Sequence, residues 1–241
     1  MSYTYSQYVT SLANVLQVEP TNADFLDIID RIIEYATARV EHDLDLINEH
    51  AVATVTLVNG TRTATLPTPS SPSNAGPIYI PESAWVVTPA STQPNAGTRN
   101  PLQRVSLEYL NFSWPTVTST GQPVCFALQD DTTMVMGPAP DQTYVVEVVG
   151  VYSPALLSST NTTTWLSTNL PELFFAASCI WGMGWQRDFG SQSDNPQATQ
   201  SWESQYQSLL QSDIVFEARK FSRSSGWTPM QPNPVANPPR P

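Results

Sequence analysis

Hydrophobic spacing changes period twice along this chain, and that change limits its fold more than any other feature. In residues 1–50 apolar side chains recur every three or four positions. Tyr5, Tyr8, Val9, Leu12, Val15 and Leu16 share one helical face, and Pro20 stops that helix. Thr21, three residues before Asp24, reads as a capping-box-like start for a second helix. That helix carries Phe25, Ile28, Ile29, Ile32, Ile33, Ala36, Val40 and Leu44 on one stripe, with charged residues opposite. After His50 the period drops to two. AVATVTL (51–57), Asn59-Gly60 and RTATL predict a hairpin. Strands are expected at 78–80, 83–89, 124–129, 133–137 and 144–152, with 90–101 a loop and a short helical turn over 105–112. The Asp130-Asp131 turn pairs 124–129 with 133–137.

Helical spacing returns after Pro154. Pro171 sits in the first turn of a helix that is apolar or small over 173–185 and is expected to be buried on most sides. Ala176, Ala177, Ser178, Gly182 and Gly184 leave room for a neighbouring backbone. Phe189-Gly190 ends it, and a last helix is expected over 196–221, with Trp202, Tyr206, Leu209, Leu210 and Phe216 as its stripe. The expected fold is therefore α+β. A helical bundle over 1–50 and 154–221, with two N-terminal and two C-terminal helices, is interrupted by an antiparallel β domain over 51–153. An extended Pro-rich tail over 222–241 follows.

Composition narrows the function. The formal charge is −11, only 13% of residues are charged, and 22 of the 241 are Pro. So acidic a chain is poorly suited to gripping phosphate backbones over a wide surface. No 18-residue apolar run is present, so no membrane helix is expected, and the start MSYTYSQYVT lacks the features of a secretory signal. Charge is segregated: the first 50 residues hold nine acids against Arg31 and Arg39, whereas from Arg219 onward Lys220, Arg223 and Arg240 face no acid.

Chemistry-bearing motifs are scarce. Cys125 and Cys179 are far apart and read as buried thiols. His42 and His50 lie among acids at a helix end, a spacing that matches no metal motif, so no metal or cofactor is expected. GxSxG, P-loop, GxGxxG and HExxH patterns are lacking. Asp130, Asp131 and Asp141 lie in turns, where Asp is expected for local hydrogen bonding rather than hydrolysis. Trp227 stands in the Pro-rich tail, beyond any core position. It reads as an apolar anchor for a partner's groove, against the alternative of a disordered tail.

Three segments carry a resemblance: FLDIIDRIIEYATARVEHDLDL, NAGTRNPLQRVSLEYLNFSWP, and the long run from MVMGPAPDQTYVVEVVGVYSP to TQSWESQYQ. Together they resemble the head-to-tail adaptor (connector) proteins of tailed bacteriophages, most nearly those of short-tailed phages. The likeness runs from about Tyr5 to Lys220, and its specificity lies in order and extent rather than in a catalytic signature. It implies a structural virion protein of the neck, made in the host cytoplasm, and not an enzyme. It implies a homododecameric ring between the portal protein and a tail nozzle or tail tube protein. Genomic DNA would pass through that ring without specific binding. On this reading Arg219, Lys220, Phe221, Arg223, Trp227 and Met230 dock to the portal or to the nozzle, and Glu41, Asp43, Asp45 and Glu49 line the channel. Alternatives are a tail nozzle or head-completion protein, a carbohydrate-binding module of a tail fibre, and a hydrolase using a carboxylate pair.

Overall fold

The computed structural model describes residues 2–72, 75–186 and 196–224. The fold is α+β. It divides into two compact units, one from Met1–Ile47 with Leu156 onward, the other Asn48–Ala155. In the first unit lie α1 (Tyr5–Leu16), α2 (Ala23–Asp43), α4 (Trp165–Asn169), α5 (Pro171–Gln186) and α6 (Pro196–Ser224). The second holds β1 (His50–Thr56), β2 (Thr63–Thr65), β3 (Ile78–Thr88), β4 (Thr98–Arg104), α3 (Leu107–Ser113), β5 (Thr120–Gly121), β6 (Cys125–Leu128), β7 (Thr133–Gly137), β8 (Ala139–Pro140) and β9 (Val145–Tyr152).

In the helical unit the expected stripes are the core. Tyr8, Leu12 and Leu16 of α1 and Phe25, Ile29, Ile32, Ile33, Ala36 and Val40 of α2 are all buried. The cap of α2 is Asn22, not Thr21. Its side chain accepts from the amides of Asp24 (2.9 Å) and Phe25 (3.2 Å), meeting two of the donors that a helix start leaves over. α5 is central, buried without interruption from Leu173 to Cys179. A Cβ on Gly182 would lie 3.0 Å from Leu16 Cδ1, so the small residue admits α1; Gly184 faces open space and has no such role. The buried Tyr8 hydroxyl bonds Ser178 Oγ, and Ser178 Oγ donates to the Phe174 carbonyl at 2.8 Å. The stop expected at Phe189-Gly190 lies outside the described residues.

The β unit is one seven-stranded sheet in the order β1-β9-β3-β4-β6-β7-β2, beside the two-stranded β5-β8. The expected hairpin of 51–57 with RTATL is not formed. β1 pairs with β9 along its whole length, whereas β2 pairs with β7 at the far edge. The connection explains this. Gly60 takes the expected positive φ of 74°, but its amide donates to Pro140 and that of Leu57 donates to Tyr144. The turn's donors are thus held by the chain around β8 and β9, and the backbone crosses the sheet end instead of folding back. The β6–β7 hairpin forms as expected. Two pairings depart from the antiparallel expectation: β4–β6 and β5–β8 are parallel.

The end of the expected loop, residues 98–101, belongs to β4, which runs on to Arg104, and 78–88 is one strand with bulges between Ile78/Ile80 and Pro81/Ser83. Opposite the second bulge is Gly150. A Cβ there would run into the Ile80 carbonyl oxygen and lie 2.8 Å from Pro81 Cα. Gly150→Val is therefore expected to cost about 3 kcal/mol, the upper range for overpacking. Denaturant unfolding checks this; an unchanged midpoint would show that the β3 backbone yields freely.

Candidate functional site

α6 changes character along its length. In its first half Trp202 packs edge-on against Phe175 (6.3 Å between centroids), and Tyr206 and Leu210 are buried. The Arg39 guanidinium lies 4.4 Å from the Tyr206 ring centroid and donates to Glu203 Oε1 (2.6 Å) and the Tyr35 hydroxyl (3.0 Å). The Tyr206 hydroxyl donates to Asp43 Oδ2 at 2.7 Å. These contacts tie α6 to α2.

Beyond Leu210 the polarity inverts. Glu217 is 3% exposed and Asp213 is half-buried, while Ile214, Val215 and Phe216 are 41%, 50% and 53% exposed. Lys220 Nζ donates to Glu217 Oε1 at 2.5 Å and lies 4.9 Å from the centroid of Trp165 and 4.8 Å from that of Phe216. Glu217 Oε2 is buried with no hydrogen-bond partner. Burial, then the nearby Glu217 charge, pushes the Asp213 carboxyl up. Charge thus faces the protein and apolar side chains face outward, the reverse of a finished surface helix. Phe216, expected in the core stripe, belongs to this outward face.

Of the expected docking residues, Arg219 is exposed and Lys220 is held by Glu217 and two rings. The side chains of Phe221 and Arg223, and the whole of Trp227 and Met230, lie outside what the structure describes, as does the tail from 225 onward. Sequence reading missed Ile214, Val215 and Glu217; its available signal was an apolar triplet between two acids, with Lys220 three residues on.

The four expected channel acids have different surroundings. Asp43 accepts from Tyr206 and lies 3.8 Å from Arg39 Nε; Asp45 is exposed; Glu49 is only 5% exposed. Glu41 is half-buried, its Oε1 enclosed without a hydrogen-bond partner, and burial pushes its carboxyl up to about 7. The outward face of α2 carries Asp24, Asp27, Asp30 and Glu34, all exposed.

In the β unit, Asp130 accepts from the Thr132 amide and hydroxyl, both at 2.8 Å, which hold its carboxyl below the usual range. Asp141 accepts from the Tyr144 hydroxyl at 2.9 Å. Both acids serve local hydrogen bonding. Among the described residues no group of three or more His, Cys, Asp or Glu is placed to hold a metal. No described helix is long and apolar enough to cross a membrane.

A family model described as SU10 adaptor protein matches residues 3–232. No curated protein matches the chain.

Proposed function

The chain belongs to the SU10 adaptor protein family, a family of structural proteins of the bacteriophage head–tail junction, and from that premise we propose how it works there. About twelve copies close into a ring of cyclic symmetry between the portal protein and the tail nozzle or tail tube, and DNA passes through the ring. The work is binding and shape, without catalysis.

The observation that carries this reading is the inverted end of α6. A helix that buries Glu217 and exposes Ile214, Val215 and Phe216 gains stability when a partner covers its outward face. Arg219 beside that face and the Arg-bearing segment beyond it suit a partner surface with acidic groups at its rim. The portal is that partner, and residues 222–241, with Trp227 and Met230, extend the contact. The channel wall is acidic. Each phosphate contact made by Lys or Arg adds affinity through counterion release, so a wall of carboxylates lets DNA slide. Asp43 and Asp45, and the exposed acids of α2, supply such a wall.

Mixing the purified chain with portal rings and measuring the mass of the complex tests the reading. About twelve added copies per portal are expected, and no added mass would sink it. Phe216→Asp, and separately removal of 222–241, should each weaken attachment tenfold or more. Wild-type attachment by both variants would assign docking to another surface.

A further inference from the structure

We propose that neighbouring copies of this chain join head to tail, the aromatic pair Tyr109 and Phe112 of one copy seated on the outer face of the β1-β9-β3 sheet of the next. This rests on the ring reading above and says how that ring is held together.

β9 reads VVEVVGVY, apolar on both faces. A strand with one solvated face alternates with polar residues, and a strand without alternation is covered on both sides. The inner side is accounted for: Val146, Val148 and Tyr152 are buried against Ala53, Ala84 and Val86. The outer side is not. Register places Val52 opposite Val149, and Val151 opposite both His50 and Ile80. Val52 is 53% and Ile80 46% exposed; Val149, Val151 and Trp85 are half-buried. Of the charged groups near this patch, Glu147 is paired with Arg99, and Glu82 lies 3.4 Å from His50 Nδ1. The result is an apolar, largely β-branched surface formed by Val52, Ile80, Val149 and Val151.

The same unit carries a projecting counterpart. α3 packs on β6 and β7 through Leu110, which is fully buried. Three residues apart on its outward side stand Tyr109, 54% exposed, and Phe112, 87% exposed. Exposed aromatics are the residues that most often anchor interfaces. α3 sits over β6 and β7, and the exposure of Tyr109 and Phe112 on one side and of Val52 and Ile80 on the other leaves both patches uncovered within their own copy. Each face therefore needs a second copy to meet its counterpart. Contact between two different patches is heterologous, the kind that builds a ring when the rotation between neighbours closes.

Cross-linking tests the contact. Cys125 and Cys179 are buried, and burial pushes both thiols up, so introduced surface cysteines react alone. The full chain carrying Val52→Cys and Phe112→Cys, assembled on portal rings and treated with a short bismaleimide, is expected to give a ladder beyond the dimer. Each single variant should stay monomeric on a denaturing gel. Dimers from either single variant, or no ladder from rings of full mass, would overturn the contact while leaving the ring. Wild-type chain that adds no mass to portal rings would overturn the ring and this contact with it. Phe112→Asp, with an unfolding midpoint equal to wild type, should lower assembly at least tenfold; undiminished assembly would also overturn it.

Discussion

Tyr206→Ala is expected to lower the stability of the helical unit by about 4 kcal/mol, in the range for emptying a large buried aromatic site. Tyr206→Phe should cost about 1 kcal/mol, the net value of one hydrogen bond, more if Asp43 is left poorly solvated. Tyr206 is fully buried, its hydroxyl donates to Asp43, and its ring lies against the Arg39 guanidinium. Magnitudes decide which of these contacts dominates. The Arg39–Glu203 pair is short at 2.6 Å, but its side chains are 20% and 38% exposed, so screening limits it to about 1 kcal/mol or less. Burial of the ring outweighs it severalfold. Loss of the ring should loosen α6 before anything else, because the outward face beyond Leu210 has no core of its own. Amide exchange of residues 199–224 reads this directly. Faster exchange there in Tyr206→Ala, with α2 amides less affected, is the expected result; unchanged exchange would place the anchor of α6 elsewhere.

The same helix shows what was legible in the sequence and what was not. Where burial follows periodicity, reading succeeds: the stripe from Phe25 to Val40 is the core of α2, and the apolar run after Pro171 is the central helix. Phe216 fails because spacing alone does not distinguish a side chain buried in its own chain from one awaiting a partner. The hairpin at Asn59-Gly60 fails for a related reason. The turn is real, but the partners of its strands are chosen by long-range pairing, and β9 offers β1 seven matched positions. β4 was hidden by Pro101, which argues against a central strand. In the structure Pro101 pairs only with Trp85 of β3, since β6 joins β4 only at Gln103 and Arg104. Pro101 thus stands where the strand is still an edge. Charge alone groups the four channel acids. Charge does not reveal that Asp43 accepts from Tyr206 or that Glu49 is enclosed, since both follow from packing.

Glu41→Gln is expected to stabilise the protein at pH 8 and to leave it nearly unchanged at pH 4.5. Glu41 sits in the last turn of α2, where the helix dipole disfavours an anion, and its Oε1 is buried with no hydrogen-bond partner. Burial raises its carboxyl from 4.5 to about 7. A raised acid binds its proton more tightly in the folded state than in the unfolded one. Stability from this group is therefore full below the unfolded value and is lost as pH rises through the folded one. The loss runs from about pH 4.5 to about 7, with an upper bound of about 3 kcal/mol. Glu203 acts in the opposite sense and a different window. Its hydrogen bond from Arg39 lowers its carboxyl, so its stabilisation is lost only as pH falls through the acid range. Asp213, raised by burial, adds to the Glu41 trend, so wild type should keep a residual slope after the substitution. Unfolding curves for wild type and Glu41→Gln at pH 5, 6, 7 and 8 should diverge steadily, the variant being more stable at the alkaline end. Parallel curves would mean that Oε1 finds a partner in solution and that Glu41 titrates as an ordinary surface acid.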